Sequence, residues 1–385
     1  MNTNALPLLE EKFGAWCAAR HGSIDAALRA WGEGKKPVLG TDDPSAGRLA
    51  LYPASALGGA DWQAAMRNPK RASDQLRFFI DDMRAFYTGM QHWLRDTLGY
   101  RGLVIGTNWK TVDPRVLGPL DGYANMAVDV TARNTYFGGP HTMTQFHPWM
   151  VGDTYADCTL LRNPEQAVVM HMQYAGRPHF ITEGGYTVPN RFRTEEQLVM
   201  AAYASLQGID GLFPFVLETD WCLTLQKWPI QTPATFAQYP AAALMYRQGY
   251  IDEGPVVINE ALALEDLYQF KGGALSQPFA HDSARAGELP PDVALDVAAL
   301  TGVDPLAFLV GRVRQTIGES PGAPFIATNL AACINRAKKT VRSATGQIML
   351  DYGRGLLTVN APRAQGATGF LRDAGCLELD NLNIA

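Results

Sequence analysis

Charge is the first thing this sequence is short of. Only 18% of its 385 residues are Asp, Glu, Lys or Arg, and the net charge is a mild -5. No basic stripe favours nucleic acid, and no acidic tail favours a disordered partner. Long apolar runs are missing too. None approaches the ~20 residues that span a bilayer, so no membrane span is expected. The start, MNTNALPLLEEK, has no charged segment leading into an apolar one. It does not read as a signal peptide, which favours the cytoplasm. Cysteine is sparse and odd in number: Cys17, Cys158, Cys222, Cys333 and Cys376 stand far apart. With no CxxC pair and no His/Cys cluster, buried free thiols are expected and a metal site is not. The piece GTNWK lacks the Gly-Lys-Ser/Thr order of a phosphate loop, and no cofactor is expected. Internal repeats and low-complexity segments are also absent.

What is present is apolar and aromatic. Hydrophobic residues make up 47%, enough for sizeable cores, and the length suggests two or three domains. Eight Trp and 14 Tyr supply flat faces of the kind that bind sugar rings. The plainer reading of any one of them is core packing.

Residues 8 to 20 read as an amphipathic helix with Leu9, Phe13 and Trp16 on one face. Ser23 reads as the N-cap of a second helix closed by Gly32. Residues 33 to 72 read as loop. Ser73 is the expected cap of a long helix with apolar residues from Leu76 to Leu98 at helical spacing, stopped by Gly99. That stripe reads as core packing. Strands are expected at 102 to 106, 126 to 130, 178 to 182 and 209 to 216, most reached through helical segments, as in a parallel sheet. Residues 240 to 250 look helical. Residues 251 to 337 mix short helices with turns, and from Lys339 short strands alternate with Gly and Asp turns, as in a small β-sandwich.

The central stretch is Gly176 to Arg193, GRPHFITEGGYTVPNRFR. An apolar run enters Glu183, and Gly184 and Gly185 are expected to stop the strand there. A carboxylate at the C-terminal end of a buried strand stands where α/β barrels keep their chemistry. The other strand ends carry Asn108 and Trp109, Asn134 and Tyr136, Tyr186, Glu218 and Trp221. The plainer alternative for Glu183 is an ion pair with Arg191 or Arg193. Asp153, Asp157, Glu218 and Asp220 read as solvated or capping carboxylates before anything else. His141 and His147, six apart in a loop, fit no usual zinc spacing.

Five segments in order resemble the clan A glycoside hydrolases with (β/α)8 barrels, particularly family 42 β-galactosidase-like and related cellulase-like enzymes. KFGAWCAARHGSIDAALRAWG resembles the run after their fourth strand. GLVIGTNW, AVDVTARNTYFGG, HFITEGGYTVPNRFR and AAYASLQGIDGLFPF resemble strands five, six, seven and eight. TGQIMLDYGRGLLTVNAPRAQGATGF resembles the β-domains that follow such barrels. The resemblance covers roughly residues 8 to 250. It implies the second half of a barrel over 1–250, a mixed connection over 251–337 and a β-sandwich-like domain over 338–385.

The resemblance also implies a function: retaining hydrolysis of O-glycosidic bonds, with Glu183 as nucleophile. Asn108, Trp109, Asn134, Tyr136, Tyr186 and Trp221 would bind an oligo- or polysaccharide. Two departures stand out. Asn134 stands where the family commonly has His, and Thr3 falls where its acid/base glutamate belongs. Retention needs two carboxyl groups ~5 Å apart, one attacking and one protonating the leaving oxygen. The expectation is therefore a truncated glycosidase that lacks its acid/base and self-associates through open sheet edges. The alternative is a catalytically degenerate carbohydrate-binding protein.

Overall fold

A computed structural model describes residues 5–34, 39–53, 56–57, 65–109, 116–137, 149–155, 157–167, 172–218, 226–273 and 304–384. The chain divides into two compact units. One comprises residues 1–102, 111–128 and 262–273, and the other 103–110, 129–261 and 274–385.

The first unit is helical. Helix α1 (Leu6–His21) and helix α2 (Ile24–Trp31) share a core of Phe13, Cys17, Leu28, Trp31, Leu49 and Phe78. Ser23 caps α2 as expected, its hydroxyl taking the Ala26 N–H at 3.1 Å, and Gly32 ends the helix with φ of 80°. The long helix α3 (Pro69–His92) starts earlier than the sequence suggests. Asn68, not Ser73, takes the free N–H of Arg71, and Pro69 fits the first turn. A π-helical turn, Trp93–Thr97, extends it. The expectation that its stripe is core packing holds only for the first half. Leu76 and Ile80 are buried, whereas Phe86, Met90 and Leu98 are exposed. Helix α4 (Gly118–Asn125) completes this unit's longer elements.

The second unit carries the parallel strands. Strand β1 (Thr131–Phe137) pairs in parallel with β3 (His179–Tyr186), and β3 pairs in parallel with β4 (Gly211–Pro214). Residues 103–108 run beside β1, joined by an isolated parallel bridge, Ile105 to Val130, and by bonds from Val130 N–H to the Val104 carbonyl and from Asn134 N–H to the Asn108 carbonyl. The spatial order thus follows the chain order, while no closed barrel forms among the described residues. Two strand boundaries need correction. Residues 126 to 130 mostly turn, and the strand follows them. Gly184 and Gly185 do not end β3, because both stay in the ladder opposite Thr135 and Tyr136. Missing side chains do not remove backbone donors and acceptors, so glycine weakens a strand without forbidding it.

Helix α5 (Glu196–Gln207) connects β3 to β4 and is closed by Gly208 at φ 62°. It covers one face of β3. A Cβ at Gly184 would stand 3.0 Å from both Ile181 Cγ2 and Met200 Cε, so a larger residue there would require these side chains to shift. Gln207 is fully buried and locks the helix end to the segment after it in space. Its Nε2 donates to the carbonyls of Phe308 and Gly311.

The region 251–337 holds more strand than the sequence suggests. Strand β2 (Gln173–Tyr174) lies in a four-stranded sheet of order β2-β6-β5-β7, with β5 (Val256–Ala263), β6 (Arg312–Gly318) and β7 (Phe325–Ile326). After it comes one five-stranded antiparallel sheet rather than two facing layers. It comprises β8 (Ile334–Asn335), β9 (Thr340–Arg342), β10 (Ile348–Asp351), β11 (Leu356–Ala361) and β12 (Ala364–Gly369). The expected antiparallel pairing is there. The expected separation is not. This sheet clusters with the parallel strands, through Arg162 stacked 3.8 Å over Phe370 and a Phe192–Phe370 ring pair.

Candidate functional site

The face of β3 that carries Glu183 is decided by one extra residue. Thr131, Arg133, His179 and Ile181 share the buried side that α5 covers. Thr131 is opposite His179 and Arg133 is opposite Ile181, yet Asn134 is opposite Glu183. Thr182 is the extra residue, a β-bulge. Strict alternation from Ile181 would point Glu183 into the helix. The bulge instead sets it on the opposite face, with Asn134 and Tyr136. Glu183 therefore lies within the ladder, not at its end as the sequence suggests.

On that face the Tyr136 hydroxyl donates a short hydrogen bond to Glu183 Oε2. Thr182 Oγ1 donates to Asn134 Oδ1 at 2.8 Å. The Asn134 amide is thereby turned, and its Nδ2 is a buried donor without a partner among the described residues. Asn108 reaches the same place through its backbone, its carbonyl taking the Asn134 N–H at 3.2 Å. Trp109 is half-exposed beyond it. The structure thus brings Glu183, Tyr136, Asn134 and Asn108 together. Tyr186 goes elsewhere. It is buried, packs with its ring tilted against Phe137, and its hydroxyl reaches Glu195 at 3.4 Å. Trp221, Asp220, His141, His147 and Thr3 lie outside the described residues.

The ion-pair alternative for Glu183 fails. Arg191 pairs with Asp157 at 2.6 Å, and Arg193 bonds to the Asn190 carbonyl and Thr232. Other carboxylates of this unit are also committed. Asp129 accepts from Val104 N–H, Asp153 from Met150 N–H and Asp210 from His179 N–H. Glu195 and Glu196 clamp the end of β3 from below. Glu195 accepts from Thr159 Oγ1 and Leu160 N–H, while Glu196 accepts from Tyr186 N–H at 3.1 Å. Burial pushes Glu195 up to about 7 and Glu196 up to about 8, against those hydrogen bonds. Burial, and then Arg133, hold His179 down at about 3.

Several residues at the site were not legible as such. Tyr136 packs on Trp228 at 4.3 Å between ring centres and edge-on to Phe215 at 6.1 Å. The backbone of Trp228 and Ile230 bonds to Val216, which folds the chain after β4 back over Tyr136. Lys227 is buried beside it, its ammonium 4.6 Å from the Trp228 ring centre. Trp149 Nε1 donates to the Val188 carbonyl, and its ring stands edge-on to Tyr155. KWPI at 227–230 carries an aromatic in an irregular stretch, and nothing in the string ties it to β1. Among the described residues no three His, Cys, Asp or Glu side chains gather as a metal would need, and no helix is long and apolar enough to cross a membrane. No family model matches the chain, and no curated protein or solved structure matches it.

Proposed function

We propose that this chain is a glycoside hydrolase of retaining type in which Glu183 is the nucleophile and, among the described residues, no acid/base carboxylate accompanies it. The open parallel sheet is read as strands five to eight of a (β/α)8 barrel. One observation carries the reading: the Tyr136 hydroxyl holds Glu183 on the face of adjacent parallel strands that α5 leaves open. A tyrosine donor fixes one carboxylate oxygen, and the other is left to attack an anomeric carbon. Trp109, Trp149 and Tyr155 offer aromatic faces for sugar rings, and Asn134 Nδ2 offers a donor to a ring hydroxyl. Trp221 is kept in the proposed binding set by the resemblance; Tyr186, buried against Phe137 and Glu195, is not. The substrate would be an oligo- or polysaccharide, and the open edges at 103–108 and β4 are surfaces for self-association.

Chemistry with one carboxylate is limited. Without a proton donor, only a leaving group that departs as a stable anion can be expelled. Dinitrophenyl β-glycosides should be cleaved while alkyl glycosides are not, and Glu183→Gln should remove the cleavage. Equal turnover of both substrates would mean that an acid/base is present after all. A second reading, sugar binding without hydrolysis, is favoured by the commitment of Asp129, Asp153, Asp157, Asp210, Glu195 and Glu196 to structural bonds. It predicts sugar binding with no turnover of either substrate.

A further inference from the structure

Lys227 is a largely buried lysine of the second unit whose ammonium has no carboxylate beside it among the described residues. It is 3% exposed. Among the described residues its ammonium has no carboxylate partner and makes no hydrogen bond; its neighbour is the ring of Trp228 at 4.6 Å. Burial alone pushes the amine down to about 8, so it still carries its proton at neutral pH. A buried cation is ordinarily paired, since desolvation costs more than a ring face returns. Here the ring is itself part of the candidate site. Trp228 packs on Tyr136 at 4.3 Å, and Tyr136 donates to Glu183. Its position is held by backbone: the Lys227 carbonyl takes the Val188 N–H at 2.7 Å.

Asn134 adds a second observation of the same sign. Its Nδ2 is a buried donor without a partner, on the same face as Tyr136. Asn134 is thus a spare donor on the face of Glu183, and Lys227 is a charged donor joined to that face through the rings of Trp228 and Tyr136; together they ask for a ligand rich in acceptors. A neutral hydroxyl can take one hydrogen bond from an ammonium but cannot compensate its charge. A carboxylate does both.

We infer that Lys227 is an anion-binding residue of this site and that the sugar it takes is an acidic one, a uronic acid. The anion rests on Lys227 itself; that the anion belongs to a sugar rests on the glycosidase reading above.

Binding measured by calorimetry on the full chain separates the two. The probes are D-glucuronate against D-glucose, D-galacturonate against D-galactose, and acetate alone. The acidic sugar of each pair should bind at least about tenfold tighter, the worth of one charge-assisted hydrogen bond. Lys227→Met, which keeps the aliphatic stem on Trp228, should abolish that advantage. Equal binding of acidic and neutral sugars overturns the anion inference and leaves the sugar reading standing. Acetate binding that depends on Lys227, with no sugar bound, keeps the anion site and overturns the sugar. No binding of any probe overturns both. The wild-type comparison decides the matter even if Lys227→Met fails to fold.

Discussion

Asn134 faces Glu183 across two parallel strands because Thr182 is one residue more than the β1–β3 register needs. That single insertion exchanges the faces of the strand. Before it, Ile181 packs towards α5; after it, Gly184 does, and Glu183 is released to the side of Tyr136. The Thr182 hydroxyl then orients Asn134, so one residue sets both the carboxylate and its neighbour.

Thr182→Val keeps the bulge and removes the hydroxyl. The lost bond to Asn134 should cost about 1 kcal/mol in urea unfolding. Deleting Thr182 makes Ile181 and Glu183 consecutive, so regular alternation keeps Glu183 on the side of Tyr136, and the deletion should cost little more than the lost bond. A deletion variant that unfolds far more easily than Thr182→Val would show that Thr182 is not a mere extra residue in the register.

Tyr136→Phe separates the hydroxyl from the ring. The ring still packs on Trp228 and Phe215, so thermal unfolding should shift little, while cleavage of dinitrophenyl glycosides should fall at least about tenfold. Trp228→Ala should instead destabilise by about 3–5 kcal/mol, as the loss of a large buried aromatic does.

Stability should depend on pH through Glu195, Glu196 and His179. The two carboxyls have folded values raised to about 7 and about 8, so the folded state holds protons that the unfolded chain releases from about 4.5. Their contribution is full below that value and is lost as pH rises to about 8. The loss is at most about 1.4 kcal/mol per unit for each group. His179 acts at the acid side: held down at about 3, it costs stability as pH falls below 6.5, where the unfolded imidazole takes a proton. Glu196→Gln should flatten the decline between pH 5 and 8 in denaturant titrations. Parallel profiles for variant and wild type would contradict the assignment.

Gln207→Leu tests what joins α5 to the later strands. The carbonyls of Phe308 and Gly311 lose their donor and Val313 N–H its acceptor. About 2 kcal/mol or more should be lost.

Much of the order of elements was legible in the string. The cap at Ser23, the stop at Gly32 and the parallel adjacency of the strands all follow from local chemistry or spacing. Glu183 and Tyr136 were legible as candidates on neighbouring strands. The bulge was not, because Ile181-Thr182-Glu183 alternates as smoothly as any regular strand. Trp228 and Lys227 were not, because what brings them to Tyr136 is a return of the chain held by Val216 and Val188 backbone. The strands β5 and β6 were hidden by a region that reads as turns and short helices.

The most direct test of Glu183 as nucleophile is covalent. The chain is incubated with a dinitrophenyl fluoro-sugar, whose leaving group needs no proton donor and whose glycosyl-enzyme turns over slowly. Intact-mass spectrometry and peptide mapping then read the product. One fluoroglycosyl group on the peptide containing Glu183, and none in Glu183→Gln, is the predicted result. An unlabelled chain, or a label that persists in Glu183→Gln, would contradict the account.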